Sequence, residues 1–147
     1  MRKANLKTDL QHVIENCKDS VDIYIAAADS TKSDDLQNTF LLIALQRKNF
    51  VELLNRESWK EGYTLTISNS LGRILQRSAR AIGRAFASSK DEKIIESCKN
   101  CEENLIDLYD EVLTNEDLPI NLHKLLSEHQ QMIRATVNQR LYSLARA

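Results

Sequence analysis

The chain has 147 residues, the size of one domain, with 42% hydrophobic and 28% charged residues, which is ordinary for a soluble globular protein. Its 3 glycines, 1 proline and 5% aromatic residues are too few for the turns and strands of a β-rich fold, so we predict a single all-α domain over residues 1–147. The formal net charge of -1 does not favour nucleic acid or an anionic membrane. No apolar run approaches the ~20 residues that span a bilayer.

The N-terminal residues and the cysteines of the chain predict where the protein is located. Residues 1–7 are followed by Asp9, His12 and Glu15 without an apolar stretch, so we expect no signal peptide. The chain has 3 cysteines, an odd number in a chain long enough to fold without disulfide bonds. We therefore expect reduced thiols and a cytoplasmic protein.

Two long helices are predicted in the first part of the chain. Apolar residues recur at steps of three and four over residues 6–29 and again over residues 34–56, which is the period of one helix face. Thr8 and Gln11 have the spacing of a capping box near the first helix start. Arg47 lies within the apolar stripe of the second helix. The aliphatic part of its side chain is expected to pack against the core, while the guanidinium group reaches water or a carboxylate.

The following segment is strongly basic. Residues 57–69 are expected to form a loop or a short extended stretch, and residues 70–87 a short basic helix. Residues 63–89 contain no acidic side chain. Four arginines lie on one side of the predicted helix: Arg73, Arg77, Arg80 and Arg84.

Two more long helices complete the prediction. Ser89 and Glu92 have the spacing of a capping box, and the helix that begins there is predicted to reach residue 113. Pro119 fits the first turn of a last helix over residues 120–144. Short turns join the first pair and the last pair of helices. These elements predict an antiparallel four-helix bundle with a short extra basic helix between helices 2 and 3.

Three stretches of the chain resemble a known group of proteins. They are residues 19–28 (DSVDIYIAAA), residues 71–75 (LGRIL), and residues 96–103 (ESCKNCEE) followed by Leu118 and Pro119. In this order and spacing they resemble an uncharacterised bacterial branch of the ferritin-like four-helix bundles, a domain of unknown function. The resemblance implies a ferritin-like bundle of bacterial origin, and it implies no particular activity.

The resemblance raises the question of a di-iron site, which needs a Glu from each of two helices and Glu-x-x-His from each of the other two. The second helix offers the amides Gln46 and Asn49, the first offers Asp22, and the last lacks the required histidine. Only Glu102 places a carboxylate where a ligand belongs. We therefore expect no cofactor. The alternative is an iron- or manganese-dependent oxidase or peroxide-handling protein with a degenerate site around Glu102 and His129.

Three thiols and a histidine form a second candidate site. Cys98 and Cys101 lie in the middle of the third predicted helix, where two thiols are more often small buried residues than a redox pair. With Cys17, Glu102 and His129 they could lie at similar heights in an antiparallel bundle, and thiolate and imidazole bind transition metals. A metal or redox site stays open as an alternative. His129 alone is expected to hydrogen-bond Glu102 or a backbone group.

The arginine row of residues 73–84 is the third candidate. Its simplest interpretation is a solvated helix face. The alternatives are a patch for an acidic partner, a membrane surface or nucleic acid, or docking onto the acidic third helix. That helix offers Glu96, Glu103, Asp107 and Asp110. No Trp or Tyr lies among the arginines, which argues against stacking on bases.

We predict a non-catalytic bundle in the bacterial cytoplasm that acts through protein–protein contact, as a homo-oligomer.

Overall fold

The structure is a computed structural model, and it describes residues 5–66, 84–87 and 89–141. Within these ranges the chain forms helices and turns and no strand, which confirms the all-α prediction for the described residues. The elements are α1 (Leu6–Ser30), α2 (Asp34–Lys60), α3 (Asp91–Leu113), α4 (Ile120–Ala135) and a π-helical segment (Thr136–Leu141).

The start of α2 follows the local sequence closely. Ser33 is its N-cap, and the Ser33 hydroxyl accepts a hydrogen bond of 3.3 Å from the backbone N–H of Leu36. The acidic Asp34 and Asp35 lie in the first turn, where the helix dipole favours negative charge. The helix therefore begins at residue 34, as predicted.

The end of α2 differs from the prediction. The helix continues to Lys60, about one turn beyond the predicted end at residue 56, so the expected loop over residues 57–69 is wrong for its first four residues. Ser58 is buried on the core side, and its backbone carbonyl accepts hydrogen bonds from the N–H groups of Glu61 and Tyr63. Gly62 ends the helix with a φ of +84°, a conformation that glycine adopts without strain.

Neither predicted capping box forms. Lys90, not Ser89, is the N-cap of α3, and the Ser89 hydroxyl donates to the Ala85 carbonyl at 2.6 Å. The first helix begins after Asn5 without a side-chain cap. Gln11 lies within α1, and its side chain extends away from the helix. Its side-chain carbonyl accepts a hydrogen bond from the Thr66 backbone N–H at 2.8 Å. The Gln11 side chain has formed a long-range contact with Thr66, whereas Ser89 has formed a different local bond, to the residue four positions before it.

The four α-helices contact one another in a ring. α1 packs against α2 and α3, while α4 packs against α2 and α3. α1 and α3 run in opposite directions, since three pairs of partners join them in reverse order along the chain. The pairs are Cys17 with Tyr109, Tyr24 with Glu102, and Thr31 with Asp91.

The last predicted helix, residues 120–144, changes character within its length. It is α-helical to Ala135 and π-helical over Thr136–Leu141, and residues 142–147 lie outside the described residues. Val137 and Leu141 are both buried, so the wider π-helical turn keeps two residues four apart on the core face. The predicted helix is confirmed as far as Leu141.

Over residues 5–66, 84–87 and 89–141, the buried apolar side chains form two clusters. One joins the N-terminal half of α1 to the C-terminal halves of α2 and α3 and to α4, and the other joins the opposite halves. Buried residues of the core include Leu10, Ile14, Cys17, Tyr24, Phe40, Phe50, Leu105, Tyr109, Ile133 and Val137. Of the predicted basic helix, only residues 84–87 are described, and they are helical. Among the described residues no helix combines the length and apolar character needed to cross a membrane.

Candidate functional site

A buried ion pair lies between the two apolar clusters. The Arg47 guanidinium of α2 donates from Nη1 to Glu102 Oε1 at 2.6 Å and from Nη2 to Glu102 Oε2 at 2.7 Å. The side chains of Arg47 and Glu102 are 0% and 1% exposed. Water and a carboxylate were the two expected partners of the Arg47 guanidinium, and the carboxylate is confirmed. Two parallel bonds of this kind fix both the distance and the plane of the two groups.

Aromatic side chains enclose the ion pair. The Tyr24 hydroxyl of α1 donates to Glu102 Oε1 at 2.6 Å, so three helices meet at one carboxylate. The guanidinium carbon lies 5.8 Å from the ring centroid of Tyr24 and 5.7 Å from that of Phe50, within the range of a cation–π contact. Arg47 Nε donates to the Gln46 side chain at 3.3 Å. We call Tyr24, Arg47 and Glu102 the central triad.

The electrostatics of the central triad hold its protons in place. Burial would lower the pKa of Arg47, but the Glu102 carboxylate overrides it and the pKa is raised. Burial, followed by the charge of Glu102, raises the pKa of Tyr24 well above its ordinary value. Neither group gives up a proton near neutral pH. Arg47 and Tyr24 therefore act in the central triad as hydrogen-bond donors to the Glu102 carboxylate.

The candidate thiols are spread around the triad. Cys17 is buried with its sulfur 3.3 Å from the Tyr109 hydroxyl, and burial raises its pKa to about 11. Cys98 is buried and Cys101 is half-buried, and burial raises the pKa of both thiols. The prediction of small buried residues is confirmed for Cys98 and only partly for Cys101. Raised pKa values leave little thiolate, which is the reactive form.

His129 packs against an aromatic ring. Its imidazole stacks on Phe50 with 3.8 Å between ring centroids and 12° between planes. The predicted hydrogen bond to Glu102 is wrong, because Arg47 and Tyr24 take the carboxylate and His129 Nδ1 is buried without a partner. Burial, followed by the nearby Arg47 charge, lowers the pKa of His129 to about 4. The imidazole is therefore neutral at physiological pH.

The residues at the centre do not fit a metal ion. The guanidinium already occupies both oxygens of Glu102, the carboxylate expected at a ligand position, and it would repel a divalent cation. Cys17 is engaged with Tyr109. In the described part of the chain, no three His, Cys, Asp or Glu side chains are grouped so as to hold a metal. Of the candidate ligands, Glu102 is bound to Arg47, and the positive charge of Arg47 acts on Cys17, Cys98 and His129. The remaining candidate, Cys101, is half-buried.

The predicted arginine patch falls mostly outside the described residues. This applies to Arg73, Arg77 and Arg80, while Arg84 is exposed within the helical residues 84–87. One of the acidic positions considered for docking has another partner, since Asp110 accepts from Gln130 at 2.6 Å.

The outer face of α2 is a feature that the sequence interpretation missed. Large apolar side chains are exposed there, with Leu45 64% and Trp59 69% accessible. Leu41 and Leu42 are exposed beside Leu45. An open groove of about 590 Å³ runs between this face and Met132 of α4. The signal was present in the sequence as leucines that lie off the predicted apolar stripe.

Comparisons with known proteins give one family. No curated protein and no solved structure matches the chain. The model of one family, described as a domain of unknown function (DUF2383), matches residues 5–115. These residues include α1, α2, α3 and the whole central triad. The match covers well over half of the chain, and the protein belongs to the family of domains of unknown function DUF2383.

Proposed function

We propose that this protein is a non-catalytic, ferritin-like four-helix bundle that acts through contact with other protein surfaces, including copies of itself, in the bacterial cytoplasm. The observation that carries the proposal is the outer face of α2, where large apolar side chains face solvent. Contiguous exposed apolar side chains on a folded domain are typical of interaction sites.

The interior supports a structural role for the central triad. A catalytic centre needs a group that can take or give a proton, a nucleophile or an open metal position. Arg47 and Glu102 neutralise each other without access to solvent, and Tyr24 keeps its proton. His129 is neutral and buried. The site where ferritin-like proteins carry chemistry is therefore closed by an ion pair.

The surface supports the contact role. The exposed apolar residues of α2 lie opposite the face that forms the core, so packing within the chain does not need them. Such exposure has a cost in solubility, and a protein partner would offset it by covering the apolar groups. The ring of helices, with α1 against α2 and α4 against α2, holds this face rigid. A rigid face of this kind loses little conformational entropy on binding.

Site-specific photo-crosslinking in cells tests the proposal. A photoreactive residue replaces Leu45 on the outer face of α2, and the matched control carries it at Lys93, an exposed position on α3. We expect covalent protein adducts of defined mass from position 45 and none from position 93. Equal labelling from both positions, or no adduct from position 45, would contradict a contact function for this face.

A further inference from the structure

The outer face of α2 carries a pattern with internal symmetry. Between Leu41 and Trp59, the exposed residues of α2 lie within about 60° on either side of Leu45 at 3.6 residues per turn. In chain order they are Leu41, Leu42, Leu45, Lys48, Asn49, Glu52, Arg56 and Trp59. Apolar side chains occupy both ends of the row, and a lysine and a glutamate lie near its middle. Leu41 to Trp59 spans about 27 Å along the helix axis.

From this pattern we infer that the outer face of α2 binds the same face of a second copy of the chain, antiparallel, about a twofold axis near residue 50. This inference rests on the proposed function and names the partner for the same surface. In this arrangement Trp59 packs on Leu41 of the second copy, and Lys48 pairs with its Glu52. Both pairs form twice, because the axis repeats them.

The angular positions support these pairs. A twofold axis perpendicular to two antiparallel helices brings together residues that lie on the same side of each interface face. Leu41 and Trp59 both lie about 40° to one side of Leu45, and Lys48 and Glu52 lie on that same side. Asn49 lies on the other side, next to the axis, and meets Asn49 of the second copy. A parallel arrangement would instead place the two Lys48 side chains on opposite edges of the interface and would not bring Lys48 to Glu52.

The charges of the row are available for this contact. Among the described residues, neither Lys48 nor Glu52 has an ion-pair partner within the chain. The two are four residues apart with the lysine first, which is the less favourable order for a pair within one helix. Charge complementarity therefore selects an antiparallel copy as the occupant of the apolar row. Met132, across the groove from Leu42 and Leu45, extends the apolar contact beyond one helix.

Sedimentation velocity and tryptophan fluorescence of the purified full chain test the inference. The chain contains 1 tryptophan, so emission reports Trp59 alone. We expect a monomer–dimer equilibrium, with Trp59 emission moving to shorter wavelength as concentration rises and the indole leaves water. A chain that stays monomeric, with unchanged emission, would overturn the inference.

Charge reversal then tests the orientation. Lys48→Glu and Glu52→Lys should each weaken dimerisation roughly tenfold, because each places two like-charge contacts in the interface. The double variant Lys48→Glu/Glu52→Lys should restore it. Lys93→Glu on α3 is the matched control and should change nothing. These exposed substitutions leave the core intact, which circular dichroism verifies.

The outcomes separate this inference from the function on which it rests. A dimer that is insensitive to both single reversals would overturn the α2 arrangement while leaving self-association through another face. A monomer that still forms adducts with a different protein from position 45 in cells would overturn the second copy as partner and leave the contact function standing. Loss of specific adducts from position 45 would remove the proposed function itself.

Discussion

At the residue scale, Arg47 and Glu102 depend on each other for their burial. Removing one charge leaves the other buried and unpaired, which costs about 3–5 kcal/mol in comparable sites. We therefore expect Arg47→Met to lower the free energy of unfolding by about that amount, although methionine fits an apolar site well. Urea denaturation, with an unchanged slope as evidence of two-state unfolding, measures the effect.

The double variant Arg47→Met/Glu102→Leu is the control for this prediction. Replacing a buried ion pair by apolar residues of similar size is often neutral or stabilising, because no charge has to be desolvated. Most of the stability lost in Arg47→Met should therefore return in the double variant. The single variants Arg47→Met and Glu102→Leu each lose some free energy of unfolding. If the loss in the double variant instead equals the sum of these two losses, the two charges do not act as a pair.

His129 predicts a pH dependence of stability. Its pKa is lowered from 6.5 to about 4 in the folded protein, so between these pH values the unfolded chain binds the proton and the folded protein does not. The contribution to stability is fully present above pH 6.5 and is lost as the pH falls towards 4. The loss is on the order of 3 kcal/mol. Denaturation at a series of pH values measures it.

The variant His129→Phe isolates this contribution. Phenylalanine keeps a ring against Phe50 and cannot titrate, so the stability of the variant should fall less steeply below pH 6.5. The comparison is needed because Asp19 acts with the opposite sign. Burial, with help from Asp22 and Glu15, raises the pKa of Asp19 to about 6, so its contribution is lost as the pH rises. Identical pH profiles for the variant and the parent would contradict a buried neutral His129.

The central triad also shows which contacts of single residues could be predicted from the sequence. The position of Arg47 in an apolar stripe predicted a packed stem and a carboxylate as one possible partner. Glu102 was predicted at a ligand position, but its pairing with Arg47 depends on the heights of α2 and α3 relative to each other. Helix periodicity fixes which face a residue occupies and does not fix this height. For His129 the prediction left Glu102 and a backbone group open, and the buried Nδ1 atom has neither as a partner.

At the element scale, Gly62 determines where α2 can end. Its φ of +84° is unfavourable for other residues, and a Cβ there would meet nothing within 4 Å. The cost of Gly62→Ala is therefore backbone strain alone, about 1–2 kcal/mol. Gly62→Asn should cost less, because asparagine tolerates this conformation better. Equal stability of the alanine variant and the parent in urea denaturation would show that the turn adopts another conformation at no cost.

The helices themselves were predictable to within about one turn wherever a strong apolar stripe existed. Ends were less predictable, since α2 continues to Lys60, about one turn beyond its predicted end. The capping box at Ser89 failed because its hydroxyl bonds back to Ala85. The outer leucines of α2 were present in the sequence but lay outside the stripe that defined the helix. Large apolar residues outside the core-facing stripe of a helix indicate a surface that binds a partner, and helix periodicity alone does not identify them.

At the scale of the whole molecule, a polar layer divides the interior. The central triad separates two apolar clusters and takes one member from each of α1, α2 and α3. Apolar packing alone tolerates sliding of one helix along another, whereas a two-bonded guanidinium and carboxylate fit at one height only. The triad therefore sets the relative position of three helices. Within the triad, the Arg47 guanidinium neutralises the buried Glu102 carboxylate.

This arrangement predicts the metal content of the protein. With Arg47 bound to both oxygens of Glu102, a divalent ion at the centre would have to displace a buried guanidinium and leave it unpaired. We expect elemental analysis of protein purified without a metal-binding tag to give iron, manganese and zinc well below one per chain. Addition of these ions should not raise the midpoint of thermal unfolding, because a ligand stabilises only a fold that binds it. One metal per chain, lost in Glu102→Gln and kept in the surface control Glu116→Gln, would contradict the closed centre and favour a metal-dependent enzyme.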